Sequence, residues 1–361
     1  MIFLKTLTTH SRYGLKLCTF KSIQVISRYE SSGQSIINDS FVHRLSLKTC
    51  QSLYDSKYGR NKWYLRGSPK SGLNVNVEYV DTKPNDRTGS ATLVALHGCP
   101  GSYIDYTKLI ENFGQHYRVI IPNFPDFSLT NETNHFWHSG EEKSVFVTDF
   151  LQKLNVQQID CLICHSSSIF AASYLWSKDN QYFNQIDIKT LCLLSNPGPK
   201  WFTIKGRLVS MFFTHLSRLR LIRQYLRSIW SRKMTKRLGF SNQIEDYDRL
   251  ALLLSTYYLS QTQTVTKRLK KLIELKIPTL FIFSSKDKLF NKEIFYNLFG
   301  ILETDGNDFD IYEEHQNILI QKAREDNWIK VIDIRSGGHY VFVTHHKLVH
   351  QYIEQLLEKV K

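Results

Sequence analysis

The chain has 361 residues, of which 42% are hydrophobic, and its 47 Lys and Arg against 33 Asp and Glu give a formal net charge of +14. This length accommodates one large α/β domain with an insertion, or two modest domains. No apolar run approaches the roughly 18 residues that a membrane-spanning helix needs, so we expect a soluble or peripheral protein.

Residues 1–29 are basic and contain no Asp or Glu; their charged residues are Lys5, Arg12, Lys16, Lys21 and Arg28, with Ser and Thr between them. This composition is typical of a mitochondrial transit peptide. We therefore expect a mitochondrial protein, or a cytoplasmic one if the segment is only a disordered basic tail. The segment lacks the apolar stretch and small-residue cleavage site of a secretory signal, which argues against secretion.

Residues 30–70 are of mixed composition, and we leave them as an N-terminal extension. After them, Leu73, Val75, Val77 and Tyr79 alternate with other residues, which predicts a half-exposed antiparallel strand. Further on, predicted strands alternate with helical segments, near residues 91–96, 118–122, 159–164, 189–195, 278–284 and 328–334. This alternation predicts an α/β fold with a mostly parallel central sheet and helices on both faces.

The cysteines, at positions 18, 50, 99, 161, 164 and 192, show no disulfide-scaffold spacing, so we expect free thiols. Cys161 and Cys164 form a C-x-x-C pair, but residues three apart on a strand point to opposite faces. No second pair completes a zinc site. We therefore predict neither a metal nor a cofactor.

Between Pro199 and Pro278 the sequence becomes helical, aromatic and basic: residues 200–276 hold 17 Lys and Arg against 4 Asp and Glu. Most of the net charge of the chain therefore lies in one insertion. Apolar residues at helical spacing run beside a stripe of arginines; the apolar set is Leu216, Leu219, Ile222, Leu226, Ile229 and Trp230, and the arginines are Arg220, Arg223 and Arg227.

Three interpretations of this basic insertion stay open. The stripe rests on an anionic membrane surface, or it steers acidic substrates, or it is a solvated face over an apolar side packed on the core. Nucleic acid is not an expected partner, because no recognised binding motif accompanies the charge.

Ser166 lies where the hydrophobic strand 159–163 meets a helix start of small residues. A serine on a sharp strand-to-helix turn has its hydroxyl exposed above the sheet, as a nucleophile requires. Asp287 and His339 follow later predicted strands, in the order Ser, Asp, His. Each has an ordinary structural explanation by itself, as a helix cap, a turn residue and a loop residue.

The predicted strand 91–96 runs into His97, Gly98, Cys99, Pro100 and Gly101, which we call the His97 loop. Its backbone N–H groups and the amide of Ser167 are candidates for an oxyanion hole, in which Cys99 and Ser167 act through their backbone amides. We expect His97 and His165 to hold the surrounding loops by hydrogen bonds.

From Leu73 to the C-terminus the chain resembles the α/β-hydrolases. The residues quoted above match that family's His-Gly-x-Pro-Gly loop, its x-His-Ser-x-x elbow, its acid after a late strand and its Gly-His near the end. The stretch His97–Ser102, followed by Asn123, Phe124 and Pro125, is similar to a poorly characterised branch found in nematodes and related invertebrates.

The resemblance implies an α/β-hydrolase fold, with core parts at residues 71–199 and 278–361 and a helical cap at residues 200–277. It also implies a catalytic triad of Ser166, Asp287 and His339. Because the nucleophile is a serine, the resemblance argues against epoxide hydrolases and dehalogenases, which use an aspartate. Proline iminopeptidases share a similar loop, but the basic insertion would repel their cationic substrate amine.

The chain departs from the family pattern at several glycines. Cys164 and Ser168 flank the serine where the family usually has glycine, and Ile169, Asp126 and Ser128 replace others. Two hypotheses follow. The chain is a serine hydrolase of an ester or thioester with an apolar acyl chain or an acidic group, or it is a catalytically silent α/β-hydrolase-fold protein that serves as a binding or scaffold protein.

Overall fold

The computed structural model describes most of the chain from residue 37 onward. The described ranges are 37–85, 89–99, 101–125, 135–178, 183, 185–199, 204–219, 221–222, 225, 245–260, 262–304, 306–313, 318–323 and 327–359. The predicted presequence of residues 1–29, Pro100 of the His97 loop and the three stripe arginines Arg220, Arg223 and Arg227 lie outside these ranges.

The described residues form one sheet of ten strands and a separate pair of short strands. The strands are β1 Val42–Thr49, β2 Leu73–Asp81, β3 Thr92–Leu96, β4 Arg118–Pro122, β5 Gln158–Ile159, β6 Cys161–His165, β7 Asp187–Ile188, β8 Leu191–Leu194, β9 Thr279–Phe283, β10 Phe309–Tyr312, β11 Leu319–Gln321 and β12 Ile329–Ile334. The order in the large sheet is β1-β2-β4-β3-β6-β8-β9-β12-β10-β11. Pairing is parallel from β4 to β10, and β1, β2 and β11 are antiparallel to their neighbours.

The described helices surround this sheet. They are α1 Gln51–Asp55, α2 Lys57–Arg60, α3 Thr107–Phe113, α4 Gly140–Lys153, α5 Ile169–Ser177, α6 Ile204–Arg218, α7 Glu245–Leu259, α8 Thr262–Leu275, α9 Lys292–Ile301, α10 Val341–Thr344 and α11 His346–Glu358. None of them combines the length and the hydropathy that crossing a bilayer requires.

The central strands are apolar on both faces because helices cover both. Successive residues alternate between two buried clusters: Leu93 and Leu280 belong to one, and Val94 and Phe281 to the other. Parallel strands buried on both sides are expected to be continuously hydrophobic. The predicted fold class is confirmed, and Cys161 and Cys164 lie in opposite clusters, as their spacing predicts.

The extension that the sequence left unassigned contributes an edge strand. Strand β1 pairs antiparallel with β2 over eight residue pairs, from Val42 with Val80 to Thr49 with Leu73. Most of its side chains are partly or fully exposed, with only Leu47 and Thr49 buried. An edge strand with so few buried positions has a weak hydrophobic alternation, which is why the sequence did not reveal it.

The described part of the basic insertion is helical. Helices α6 and α7 pack against each other, whereas α8 packs on core helix α5. There the Arg268 guanidinium lies 3.3 Å from the centre of the Tyr174 ring, and the Trp176 indole N–H donates to the Arg268 carbonyl at 3.2 Å. Helix α8 is therefore held to the core layer.

Leu193 provides a test of the central packing. It is fully buried on β8, between β6 and β9. We expect Leu193→Ala to lower the free energy of unfolding by about 2–5 kcal/mol, through lost burial and the cavity left behind. The matched variant Leu275→Ala, at a position 42% exposed, should change it by less than about 1 kcal/mol. Chemical denaturation of both measures this, and equal losses would contradict the described core.

Candidate active site

Ser166 lies on a sharp turn at the carboxyl end of β6. Its φ is +52°, in the left-handed region, and the chain then continues through one 3₁₀ turn, Ser166–Ser168, into helix α5. This backbone conformation costs a residue other than glycine about 1–2 kcal/mol. Such strain persists where the surrounding structure enforces it, and it is found at functional sites.

The two small residues that flank Ser166 where the family usually has glycine carry no such strain, whereas Asp126 and Ser128 lie outside the described residues. Ser168 has φ of −65°, and Cys164 lies within β6 without a positive φ. Both are buried, and the Ser168 hydroxyl donates to the His165 carbonyl at 2.8 Å. The turn therefore accommodates these small side chains, and the left-handed residue is Ser166 itself.

Ser166, His339 and Asp287 form a continuous chain of hydrogen bonds. The distance from Ser166 Oγ to His339 Nε2 is 3.0 Å, and that from His339 Nδ1 to Asp287 Oδ2 is 2.8 Å. Because a carboxylate only accepts, Nδ1 carries the ring proton and Nε2 presents its lone pair to the serine hydroxyl. A hydroxyl so placed can transfer its proton to the imidazole when its oxygen attacks a carbonyl carbon.

Neighbouring residues hold the Asp287 carboxylate and the His339 imidazole in place. Asp287 Oδ1 accepts from the N–H groups of Leu289 at 2.6 Å and Phe290 at 3.2 Å, which orients Oδ2 towards His339. The Phe290 ring packs edge-on against the His339 ring, 5.1 Å between centres. His165 Nε2 donates to the His339 carbonyl at 3.2 Å, so the loop that carries the imidazole is tied to the elbow.

The His97 loop approaches the elbow closely at Gly98. A Cβ added there would lie 3.0 Å from Ser166 Cβ and 3.1 Å from His165 Nδ1, so a larger residue would have to displace the elbow by a few tenths of an ångström. His97 holds this loop from behind: its Nε2 accepts the Phe124 N–H at 2.9 Å, which requires Nδ1 to donate to the Gly98 carbonyl at 2.7 Å.

The amides expected to form an oxyanion hole come from the two segments that meet here. Cys99 follows Gly98, and Ser167 follows Ser166 at the start of the 3₁₀ turn. No hydrogen-bond acceptor among the described residues takes either N–H. Farther along the loop, a Cβ on Gly101 would lie 2.8 Å from Asp105 Oδ2, so this position is also tightly packed.

The two histidines beside the site are neutral at physiological pH. Burial lowers the pKa of His97 to about 4. Burial, with a smaller contribution from the nearby His339, holds the pKa of His165 well below its ordinary value. A neutral His97 is required for its Nε2 to accept from Phe124, so the low pKa and the hydrogen bonds agree.

Asn196 is a further site residue that the sequence analysis missed. It is fully buried, and its Nδ2 donates to the Ser166 carbonyl at 2.6 Å. It follows β8, so it lies at the same carboxyl edge of the sheet as the other candidates. The strand-end rule that located Asp287 also applies to Asn196, but an isolated amide has no chemical signature in the sequence.

No group of three or more His, Cys, Asp or Glu side chains is placed to hold a metal ion within the described part of the chain. The chemistry that the described residues support is proton transfer between a hydroxyl and an imidazole that a carboxylate orients.

Because His97 is buried and neutral, we expect the free energy of unfolding to fall at acid pH. Its folded pKa of about 4 is below the ordinary 6.5, so the unfolded chain takes up the proton first as pH falls. Its contribution to stability is complete above pH 6.5 and is lost towards pH 4, by about 3 kcal/mol. His97→Gln should flatten this part of the curve of unfolding free energy against pH. The exposed-site control His116→Gln should keep the wild-type slope; a parallel His97→Gln curve would contradict the assignment.

Comparison with known proteins assigns the chain to a family. The family model described as alpha/beta hydrolase of unknown function (DUF1057) matches residues 62–358. No curated protein matches the chain.

Several solved structures have a similar fold. They include haloalkane dehalogenase DbeA from Bradyrhizobium elkani (12% identity, TM-score 0.54, 88% of this chain and 98% of that one), a thermophilic esterase from Thermogutta terrifontis (14%, 0.52, 88% and 99%) and a bromoperoxidase from Bacillus anthracis (16%, 0.51, 88% and 100%). At such identities the likeness shows the fold alone. The match of the family model over most of the sequence shows more: the chain belongs to this family of α/β-hydrolases of unknown function.

Proposed function

We propose that the protein is a serine hydrolase of ester or thioester bonds, with Ser166 as nucleophile, His339 as general base and Asp287 as the residue that orients it. The observation that carries the proposal is the pair of hydrogen bonds, 3.0 Å and 2.8 Å long, that joins the three side chains in this order. The left-handed backbone of Ser166 supports it, because it is the strain expected of a nucleophile on this turn.

In the proposed reaction Ser166 Oγ attacks the carbonyl carbon of the substrate while its proton moves to His339 Nε2. Asp287 stabilises the imidazolium that forms. The amides of Cys99 and Ser167 donate to the oxyanion; a donor of this kind is worth about 10²- to 10³-fold in kcat. His339 then protonates the leaving alcohol or thiol, and water releases the acyl group from Ser166 by the same steps.

The competing hypothesis is a catalytically silent member of the fold that binds rather than cleaves. Missing elbow glycines favoured it when only the sequence was considered. The backbone angles at Cys164 and Ser168 weigh against that argument at the elbow, because neither residue occupies a conformation that needs glycine. The hydrogen-bonded order of the three side chains therefore favours catalysis.

A fluorophosphonate probe, which reacts with activated serines, tests the proposal. We expect it to label the wild-type protein and not Ser166→Ala. The matched variant Ser177→Ala, which removes another buried serine hydroxyl on helix α5, should keep the label. Circular dichroism checks that each variant is folded. Labelling of folded Ser166→Ala, or no labelling of the wild type, would overturn the assignment.

Asp287→Asn tests the orienting role separately. An amide at this position would favour the wrong ring tautomer of His339, and we expect the labelling rate to fall by roughly 10³- to 10⁴-fold. An unchanged rate would remove Asp287 from the mechanism while leaving Ser166 in place.

We also propose that helix α6 brings the enzyme to an anionic membrane surface. Leu208, Phe212 and Leu219 are each more than half exposed, and their spacing places them on one side of the helical stretch. Leu221 and Tyr225, 80% and 65% exposed, are further exposed apolar side chains of the insertion, beyond the end of α6. The excess of Lys and Arg over residues 200–276 complements anionic lipid, and apolar side chains beside basic ones are typical of interfacial helices.

Liposome flotation of the chain from Glu30 onward tests this contact, because the basic residues 1–29 could bind anionic lipid by themselves. We expect binding to vesicles rich in anionic lipid, weaker binding at high salt because the charges are screened, and little binding to neutral vesicles. Leu208→Ser with Phe212→Ser should reduce flotation. The control Ile318→Ser with Ile320→Ser, at sites 49% and 52% exposed outside the insertion, should not. Equal loss in both double variants, or binding indifferent to lipid charge, would contradict the proposal.

A further inference from the structure

Lys143 is a buried lysine without a described counter-ion. It lies in the first turn of α4 and is only 4% exposed. No carboxylate of the described residues lies within 4 Å of its ammonium group. Its neighbours are already engaged: Glu141 pairs with Lys62, and Glu142 accepts from the Tyr54 hydroxyl. A buried charge is costly unless it is paired, so the position calls for an explanation.

One side of the ammonium group contacts the basic insertion. Lys143 Nζ donates to Thr256 Oγ1 of helix α7 at 3.0 Å, and Thr256 is itself buried. An ammonium group has three donors, and this is the only bond to it among the described residues. Two N–H groups thus stay available.

The other side of Lys143 faces Phe124, whose ring packs on the His97 loop. Its Nζ lies 5.2 Å from the centre of the Phe124 ring, and that ring packs edge-on against His97, 4.9 Å between centres. The Lys143 charge contributes to the low pKa of His97. Burial lowers the pKa of Lys143, and the nearby Cys99 and Glu142 side chains act in the opposite direction. The lysine is therefore within electrostatic reach of the residue whose amide is proposed for the oxyanion hole.

We propose that Lys143 binds an anionic group of the substrate, a carboxylate or a phosphate, beside the Cys99 end of the His97 loop. The proposal rests on the proposed hydrolase function and specifies its substrate class: an ester or thioester that carries a negative charge near the bond to be cleaved. The incoming anion supplies the opposite charge and the acceptors that the buried ammonium lacks, and such charge-assisted hydrogen bonds are the stronger kind.

The alternative is that Lys143 only joins α4 to α7 through Thr256. The two roles predict different effects on charged and neutral substrates. A joining residue affects every substrate alike, whereas an anion-binding residue affects the charged member of a matched pair far more than the neutral member.

The test compares kcat/KM for mono-4-nitrophenyl adipate with that for 4-nitrophenyl hexanoate, which have six-carbon acyl chains with and without a terminal carboxylate. We expect the wild type to prefer the charged ester. Lys143→Met and Lys143→Gln should each lower this preference by roughly 10- to 100-fold, as expected for the loss of a charge-assisted hydrogen bond. The control Lys153→Met removes an exposed charge from the same helix and should keep the wild-type ratio.

Two further pairs identify the source of the charge. One replaces the carboxylate by a phosphonate, and the other moves the carboxylate to the alcohol part. A wild-type preference for the charged member of any pair, lost in both Lys143 variants, supports the proposal. A preference for the neutral member in every pair, or an equal effect of the variants on both members, overturns it. If neither variant folds, the wild-type ratios are measured at low and high salt, because salt screens the charges of the insertion far more than the buried Lys143. A preference for the charged ester that persists at high salt supports the proposal, and one that high salt removes overturns it.

Fluorophosphonate labelling separates this proposal from the one on which it rests. The probe reports on Ser166 without a carboxylate in its structure. Labelled protein without a preference for charged esters overturns the role of Lys143 and leaves the hydrolase intact, whereas unlabelled wild type overturns the hydrolase itself.

Discussion

The left-handed backbone of Ser166 constrains the segments that pack around it. With φ at +52° the serine leaves its strand at a sharp angle, and the strain is held by neighbours that have little freedom of their own. Strand β6 is paired on both sides, with β3 and β8, and Asn196 donates to the Ser166 carbonyl. A Cβ at position 98 would lie only 3.0 Å from Ser166 Cβ. The His97 loop and the elbow are therefore closely packed at this position.

The order of the parallel strands brings the other side chains of the candidate site to the same edge of the sheet as Ser166. Strands β6, β8, β9 and β12 are consecutive neighbours, and Ser166, Asn196, Asp287 and His339 follow their respective carboxyl ends. Since parallel strands end at one edge, distance along the chain does not matter, and short loops suffice to place each side chain. The fine positioning comes from local contacts, such as the two N–H groups that fix Asp287 and the His165 bond to the His339 loop.

The sequence revealed those features that leave a local pattern. The strand predicted at residues 118–122 has those bounds in the structure, and the positions of Ser166, Asp287 and His339 after strands were readable because hydrophobic runs end visibly. Strand β1 was not predicted, because an exposed edge strand alternates weakly. Asn196 and Lys143 were missed for another reason. The role of a single polar residue depends on what the fold packs against it, and neither residue belongs to a sequence motif that would have predicted its contacts.

Positive charge has two different physical settings in this protein. In the proposed roles of the insertion its basic residues attract anions from a distance, and a charge in contact with solvent is screened over a Debye length of about 10 Å at 0.1 M salt. Lys143 is screened far less, because it is buried between α4, α7 and the Phe124 ring. Under the proposal, the charges of the insertion govern how often an anion arrives, and Lys143 governs how long it stays bound. Since salt weakens only the first, ionic strength separates attraction to the surface from recognition within the site.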